Sequence, residues 1–213
     1  MDREWRWTNH LSATRLDSLD SKSATDAGLR RLNTLSGDHT RTVRCASFSP
    51  CGKYLFSGSF DATVIIYEYS NLVQMKTEKI ASVKHSSVSI ASRVWCVNWN
   101  FSGKVLASCG DDKSIKIWEY SHDAGLRRLN TLSGDHTRTV RCASFSPCGK
   151  YLVSGSFDAT VIIYEYSNGD FEEAHKLEGH ENEIKSCQFS TSGEFSLHVA
   201  EINGLDMASG RKW

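Results

Sequence analysis

Apolar positions in this chain fall in short runs of six or seven residues, punctuated by Gly, Pro, Ser and Asp. VRCASFS (43–49), YLFSGS (54–59) and TVIIYEY (63–69) form one set of three. VWCVNWN (94–100), KVLASC (104–109) and SIKIWEY (114–120) form another. β-Branched and aromatic residues dominate these runs, which are too short for typical helices. The intervening Pro50-Cys51-Gly52 and Asp61 read as tight turns. The pattern predicts a succession of short antiparallel strands.

The sets also repeat. Residues 26–71 and 123–168 are the same segment except that Phe56 in the first is Val153 in the second. Residues 80–121 follow the same plan with different side chains, and a fourth unit begins near Phe171. A period in the forties resembles that of WD-type repeats, one four-stranded propeller blade per repeat. The expected fold is therefore all-β, a WD-repeat β-propeller that is incomplete, with about three and a half four-stranded blades. Residues 1–25 read as a polar, disordered leader, 26–71, 72–121 and 122–168 as blades, 169–197 as a partial blade, and 198–213 as an irregular tail. A recent partial duplication or a misassembled gene model accounts for two copies this similar. A partial ring leaves strand edges unpaired, which favours association.

Each unit carries polar residues at fixed spacing: His39, Ser57, Asp61 and Tyr67; Ser108, Asp112 and Trp118, with His85 as a less regular partner; and His136, Ser154, Asp158 and Tyr164. The fourth unit supplies His180. His, Ser and Asp together suggest a hydrolase, but three such sets would mean three active sites, and no serine sits in a G-x-S-x-G elbow. The sets resemble the WD-repeat structural tetrad, which ties a blade's tight turn to the loop before its first strand. Catalytic residues are accordingly not expected.

Charge adds little, since 25 basic residues balance 25 acidic ones and leave no pull towards nucleic acid. No run approaches the roughly 20 apolar residues of a membrane span or the apolar stretch of a secretory signal. Seven cysteines without a Cys-x-x-Cys pair fit reduced thiols in a cytosolic or nuclear protein, and their spacing matches no iron–sulfur ligand pattern. Neither a metal nor a cofactor is expected.

The middle of the chain is more specific. SRVWCVNWN with LASCGDD, HTRTVR with SPCGKYL and SFDAT, and LEGHENEIKS resemble the first two and a half blades of the cytosolic iron–sulfur assembly WD-repeat family, whose members are seven-bladed propellers. The likeness covers about residues 75–195. It implies a non-enzymatic scaffold that helps target clusters to cytosolic and nuclear apoproteins. Its partners would be other subunits of the targeting complex and those clients, with no nucleic acid or membrane. The location would be cytoplasmic, and nuclear as well where clients are. A generic WD-repeat adaptor of another complex is the alternative. Such propellers bind partners with the loops before each first strand and the residue before each turn Asp, which here points to Phe60, Arg93, Asp111, Phe157, Glu181 and Glu183.

Overall fold

The β-rich runs become strands that hydrogen-bond to their neighbours in sequence. The computed structural model describes residues 10–15, 30–71, 76–85, 92–190, 195–202 and 205–212, and every regular element among them is a strand. β1 (His10–Arg15) pairs with β2 (Arg30–Ser36). The second sheet runs β3 (Val43–Phe48), β4 (Tyr54–Ser59), β5 (Thr63–Asn71) and β6 (Lys76–Lys84) in order. β7 (Val94–Trp99), β8 (Val105–Gly110), β9 (Ser114–Ser121) and β10 (Gly125–Ser133) form the third. β11 (Val140–Phe145), β12 (Tyr151–Ser156), β13 (Val161–Ser167) and β14 (Asp170–Leu177) form the fourth. β15 (Ile184–Phe189), β16 (Phe195–Ile202) and β17 (Leu205–Lys212) form a fifth, three-stranded sheet.

This is the incomplete all-β propeller that the repeat predicts. The sheets are, however, out of phase with the sequence units: β10 is the fourth strand of the third sheet but opens the unit 122–168. Two expectations are corrected. In place of the irregular tail expected over 198–213, β16 and β17 pair in register from Phe195↔Lys212 to Ile202↔Leu205. Within the presumed leader, His10–Arg15 is a strand, and the rest of residues 1–25 lies outside the described residues.

Packing explains why the middle runs are apolar without interruption. The inner strands β3, β7, β11 and β15 stand side by side, so the two middle sheets are each sandwiched between neighbours and both of their faces are buried. From β5, Val64 and Ile66 join Val94, Val97, Trp99 and Leu106 of the next sheet, while Ile65 and Tyr67 face the other way with Val43 and Leu55. Between the third and fourth sheets, Ile115 and Ile117 meet Val140, Phe145 and Leu152. The one difference between the duplicated segments lies at such a seam. Phe56 packs edge-on against Trp99 at 6.1 Å, whereas Val153 clusters with Ile184 and Cys187.

One irregularity recurs in every inner strand. The register slips between Val43 and Cys45, Val94 and Cys96, Val140 and Cys142, and Ile184 and Ser186. Arg44, Trp95, Arg141 and Lys185 are the residues left over, each at a β-bulge, a device that re-aims a side chain.

Candidate interaction face

The polar sets assemble at one end of the sheets. In the first, His39 Nδ1 lies 3.1 Å from Asp61 Oδ2 and Nε2 lies 2.8 Å from Ser57 Oγ. The Thr40 and Thr63 backbone N–H groups donate to Asp61 at 2.8 and 2.9 Å, so one carboxylate holds both the turn and the loop before β3. His136, Ser154, Asp158, Thr137 and Thr160 repeat this geometry. The Tyr164 hydroxyl donates to Asp135 at 3.1 Å, and Tyr67 is hydrogen-bonded to Asp38 and Ser57. Burial, and then the adjoining Asp carboxylate, push both tyrosine hydroxyls well above their ordinary pKa.

The unit around His85 is filled differently. Trp118 Nε1–H donates to Ser108 Oγ at 2.7 Å, and Ser108 in turn lies 2.8 Å from His85 Nδ1. His85 Nε2 is 3.4 Å from Asp112, so the irregular spacing still brings this histidine into the set. Lys116, buried, joins it through a 2.5 Å ion pair with Asp112. His180 lies in the loop before β15. By register its Ser partner position falls on His198, outside the residues whose side chains are described.

Electrostatics set the charge state of these sets. Burial alone would raise Asp158, but the Thr160 hydroxyl, the Thr137 and Thr160 N–H groups and His136 together pull it down to about 2. Asp61 and Asp112 are lowered for the same balance of reasons. Burial lowers His85 and His136 more than their aspartates raise them. At neutral pH each of those two sets is therefore a carboxylate beside a neutral imidazole.

Next to these networks the bulged residues converge. Trp95 is the hub, with the guanidinium carbons of Arg44, Arg93 and Arg141 at 5.7, 5.1 and 4.9 Å from its ring centre. Phe60 and Phe157 flank it at 4.9 and 5.7 Å. Backbone hydrogen bonds fix this arrangement. The N–H groups of Phe60, Asp111 and Phe157 donate to the carbonyls of Thr42, Arg93 and Thr139, which pins each turn beside the loop before an inner strand. Asp111 accepts from Trp95 Nε1 and from Arg93 Nε, both at 2.6 Å, and from the Thr139 hydroxyl at 3.2 Å. Burial, and then the Arg141 charge, lower the pKa of Arg44, so like charges are crowded round one ring.

Of the six positions expected on a partner face, Phe60, Arg93, Asp111 and Phe157 are brought together around Trp95. Glu183 sits further along, paired with Arg138 at 3.0 Å and Lys185 at 2.9 Å, both of which also lie over Phe157. Glu181 is exposed in the same loop, at the margin. Sequence reasoning missed Trp95, Arg44, Arg141, Arg138 and Lys185. The available signal was the second residue of each inner strand, Arg, Trp, Arg and Lys in turn, polar or aromatic where its neighbours are small or aliphatic. The face carries five cations, Arg44, Arg93, Arg138, Arg141 and Lys185, against the carboxylates of Asp111 and Glu183.

Comparison with known proteins agrees with this architecture. The chain is 49% identical over 108 residues to the "Probable cytosolic iron-sulfur protein assembly protein CIAO1 homolog" of Caenorhabditis elegans, covering 49% of this chain and 32% of that protein. It is 48% identical over 80 residues to a protein of the same description, Ciao1, from Culex quinquefasciatus, covering 38% of this chain and 24% of the relative. "Protein CIA1" of Arabidopsis thaliana is 41% identical over 95 residues, 41% of this chain and 27% of its own length. The chain thus spans a third or less of these relatives. The model of the WD domain, G-beta repeat, matches residues 29–68, 80–119 and 126–165, more than half of the chain. Repeat, sheet order and match together place this chain in the WD domain, G-beta repeat family.

Proposed function

We propose that the chain is a non-enzymatic, protein-binding scaffold of the cytosolic iron–sulfur protein assembly machinery, helping to target clusters to cytosolic and nuclear apoproteins. The observation that carries this reading is the Trp95-centred face, together with relatives whose names place them in that assembly. Aromatic and arginine side chains are the residues that dominate binding hot spots. Five cations against two carboxylates would steer carboxylate-bearing segments of partner subunits or clients to this face. The networks behind the face act as supports: Asp61 and Asp158 hold turns, and Ser57 and Ser154 are buried away from any substrate. The cluster itself is cargo, carried by other components, and the place of action is the cytosol, extending to the nucleus with the clients.

A second reading, an adaptor subunit of another multiprotein complex, draws on the WD domain, G-beta repeat alone. One experiment separates the two. Depletion of the protein should lower the activity of cytosolic iron–sulfur enzymes while mitochondrial ones stay intact, and the Trp95→Ala chain should co-purify less of the assembly subunits than the unaltered chain. Unchanged cytosolic enzyme activity after depletion would rule out the assembly role and leave the adaptor.

A further inference from the structure

The inner strands meet their neighbours through one slot, repeated three times. In each case the third residue of one inner strand, a cysteine, faces the fourth residue of the next. In the first and third slots a glycine on the paired strand makes room for it, whereas in the second Cys109 pairs with Cys96. A Cβ added at Gly58 would stand 2.9 Å from both Cys45 Sγ and Val97 Cγ1, and one at Gly155 would stand 2.9 Å from Cys142 Sγ and 2.5 Å from Ile184 Cγ2. The occupants differ. Cys45 faces Val97, and Cys96 lies 3.6 Å from the carbonyl of Ala143. Cys142 faces Cys187, with the two sulfurs 3.0 Å apart and both residues buried. The strand sequence round Cys45 and Cys142 is the same, so the third slot is set apart by what stands opposite and by Val153, where the first copy has Phe56.

We propose that Cys142 and Cys187 form a dithiol site that a hydroperoxide closes to a disulfide between the fourth and fifth sheets. The sulfurs need to approach by only about 1 Å to reach bonding distance. The deprotonated sulfur of one attacks the terminal peroxide oxygen; an S–O bond forms, the O–O bond breaks, and the leaving oxygen takes up a proton as water or alcohol. The second sulfur then attacks the resulting sulfenic acid, forming S–S and expelling hydroxide, which takes up a proton as water. Two thiols are oxidised by two electrons and the peroxide is reduced. Burial slows entry of the oxidant, so the bond forms during brief openings of the seam and then holds β11 to β15.

The test uses the full 213-residue chain and hydrogen peroxide. The folded, reduced chain is treated with peroxide, blocked with a maleimide in denaturant, and cleaved before aspartates without reduction. This cleavage matters, because it yields residues 38–60 and 135–157 as separate peptides that differ at Phe56 and Val153 and so in mass. The expected product joins residues 135–157 to residues 170–205, two hydrogens lighter than the free pair, while Cys45 in residues 38–60 stays blocked by maleimide. The link should survive Cys148→Ser, disappear in Cys142→Ser, and lose its selectivity when peroxide is added in denaturant. A link that persists in Cys142→Ser, or Cys142 and Cys187 both recovered as maleimide adducts after the exposed Cys51 and Cys148 are consumed, would overturn the proposal.

Discussion

Lys116 occupies the strand position that Ile65 and Ile162 hold in the duplicated segments, and its ammonium sits on Asp112 inside the seam. The spacing of His, Ser, Asp and ring was legible in the sequence because each member is tied to a turn or strand of constant length. The lysine was not legible, since alternation alone makes a lysine in SIKIWEY look solvated. Only the isoleucines at the same register show that the slot is interior. Within these sets the aspartates hold most of the connections. Asp158→Ala should lower stability by about 1–3 kcal/mol, because it orphans two backbone N–H groups and a buried imidazole. Denaturant unfolding would measure it, and an unchanged midpoint would show that the network is ornamental. The same network sets the acid response. His85 and His136 have folded pKa values below the ordinary one, so their neutral, buried state is penalised as pH falls below about 6.5. Asp158, at about 2 when folded, contributes stability that is full above about 4 and disappears as pH falls through that lower value. Asp158→Ala should therefore flatten the part of the acid limb below about 4 and leave the part near 6 less altered.

Strands themselves were the most legible level from 43 to 168, where β-rich runs alternate with Gly, Pro and Asp turns. Two features at this scale were hidden. Residues 198–213 looked irregular because they lack the spacing from turn Asp to aromatic third strand that the earlier units share. In the sequence Asn203-Gly204 separates FSLHVAEI from LDMASGRK, and this dipeptide is the strongest short-range hairpin signal. Bulges were hidden for a deeper reason, because they belong to the pairing of two strands, and the Arg, Trp, Arg and Lys at the second position of each inner strand are their only trace in the strand itself. Two of the seams between sheets, at Gly58 and Gly155, depend on glycine as well as on apolar bulk. Gly155→Ala would drive a methyl group into Ile184 and Cys142, and should cost about 1–3 kcal/mol through overpacking. Thermal unfolding would register it, with Gly134→Ala, where nothing stands within 4 Å but φ is +101°, as a comparison for backbone strain without a clash.

At the scale of the whole molecule, each sheet depends on the next for burial, and stability in such arrays is carried by neighbour contacts. A polypeptide of these 213 residues produced alone is expected to self-associate, because among the described residues no further sheet lies beyond the one formed by β15, β16 and β17. Sedimentation would decide: a monodisperse monomer that unfolds reversibly would mean the arc is self-sufficient. The duplicated segment adds a twist to that outcome. RRLNTLS occurs at Arg30–Ser36, where it pairs with β1, and again from Arg127 to Ser133, where it completes the sheet begun by β7. To the edge of β9 the two stretches are the same word. Each molecule therefore carries a spare for its own outer strand, and what one chain withholds another can lend, so any oligomer this protein forms is open to exchange of β2 for β10 between chains.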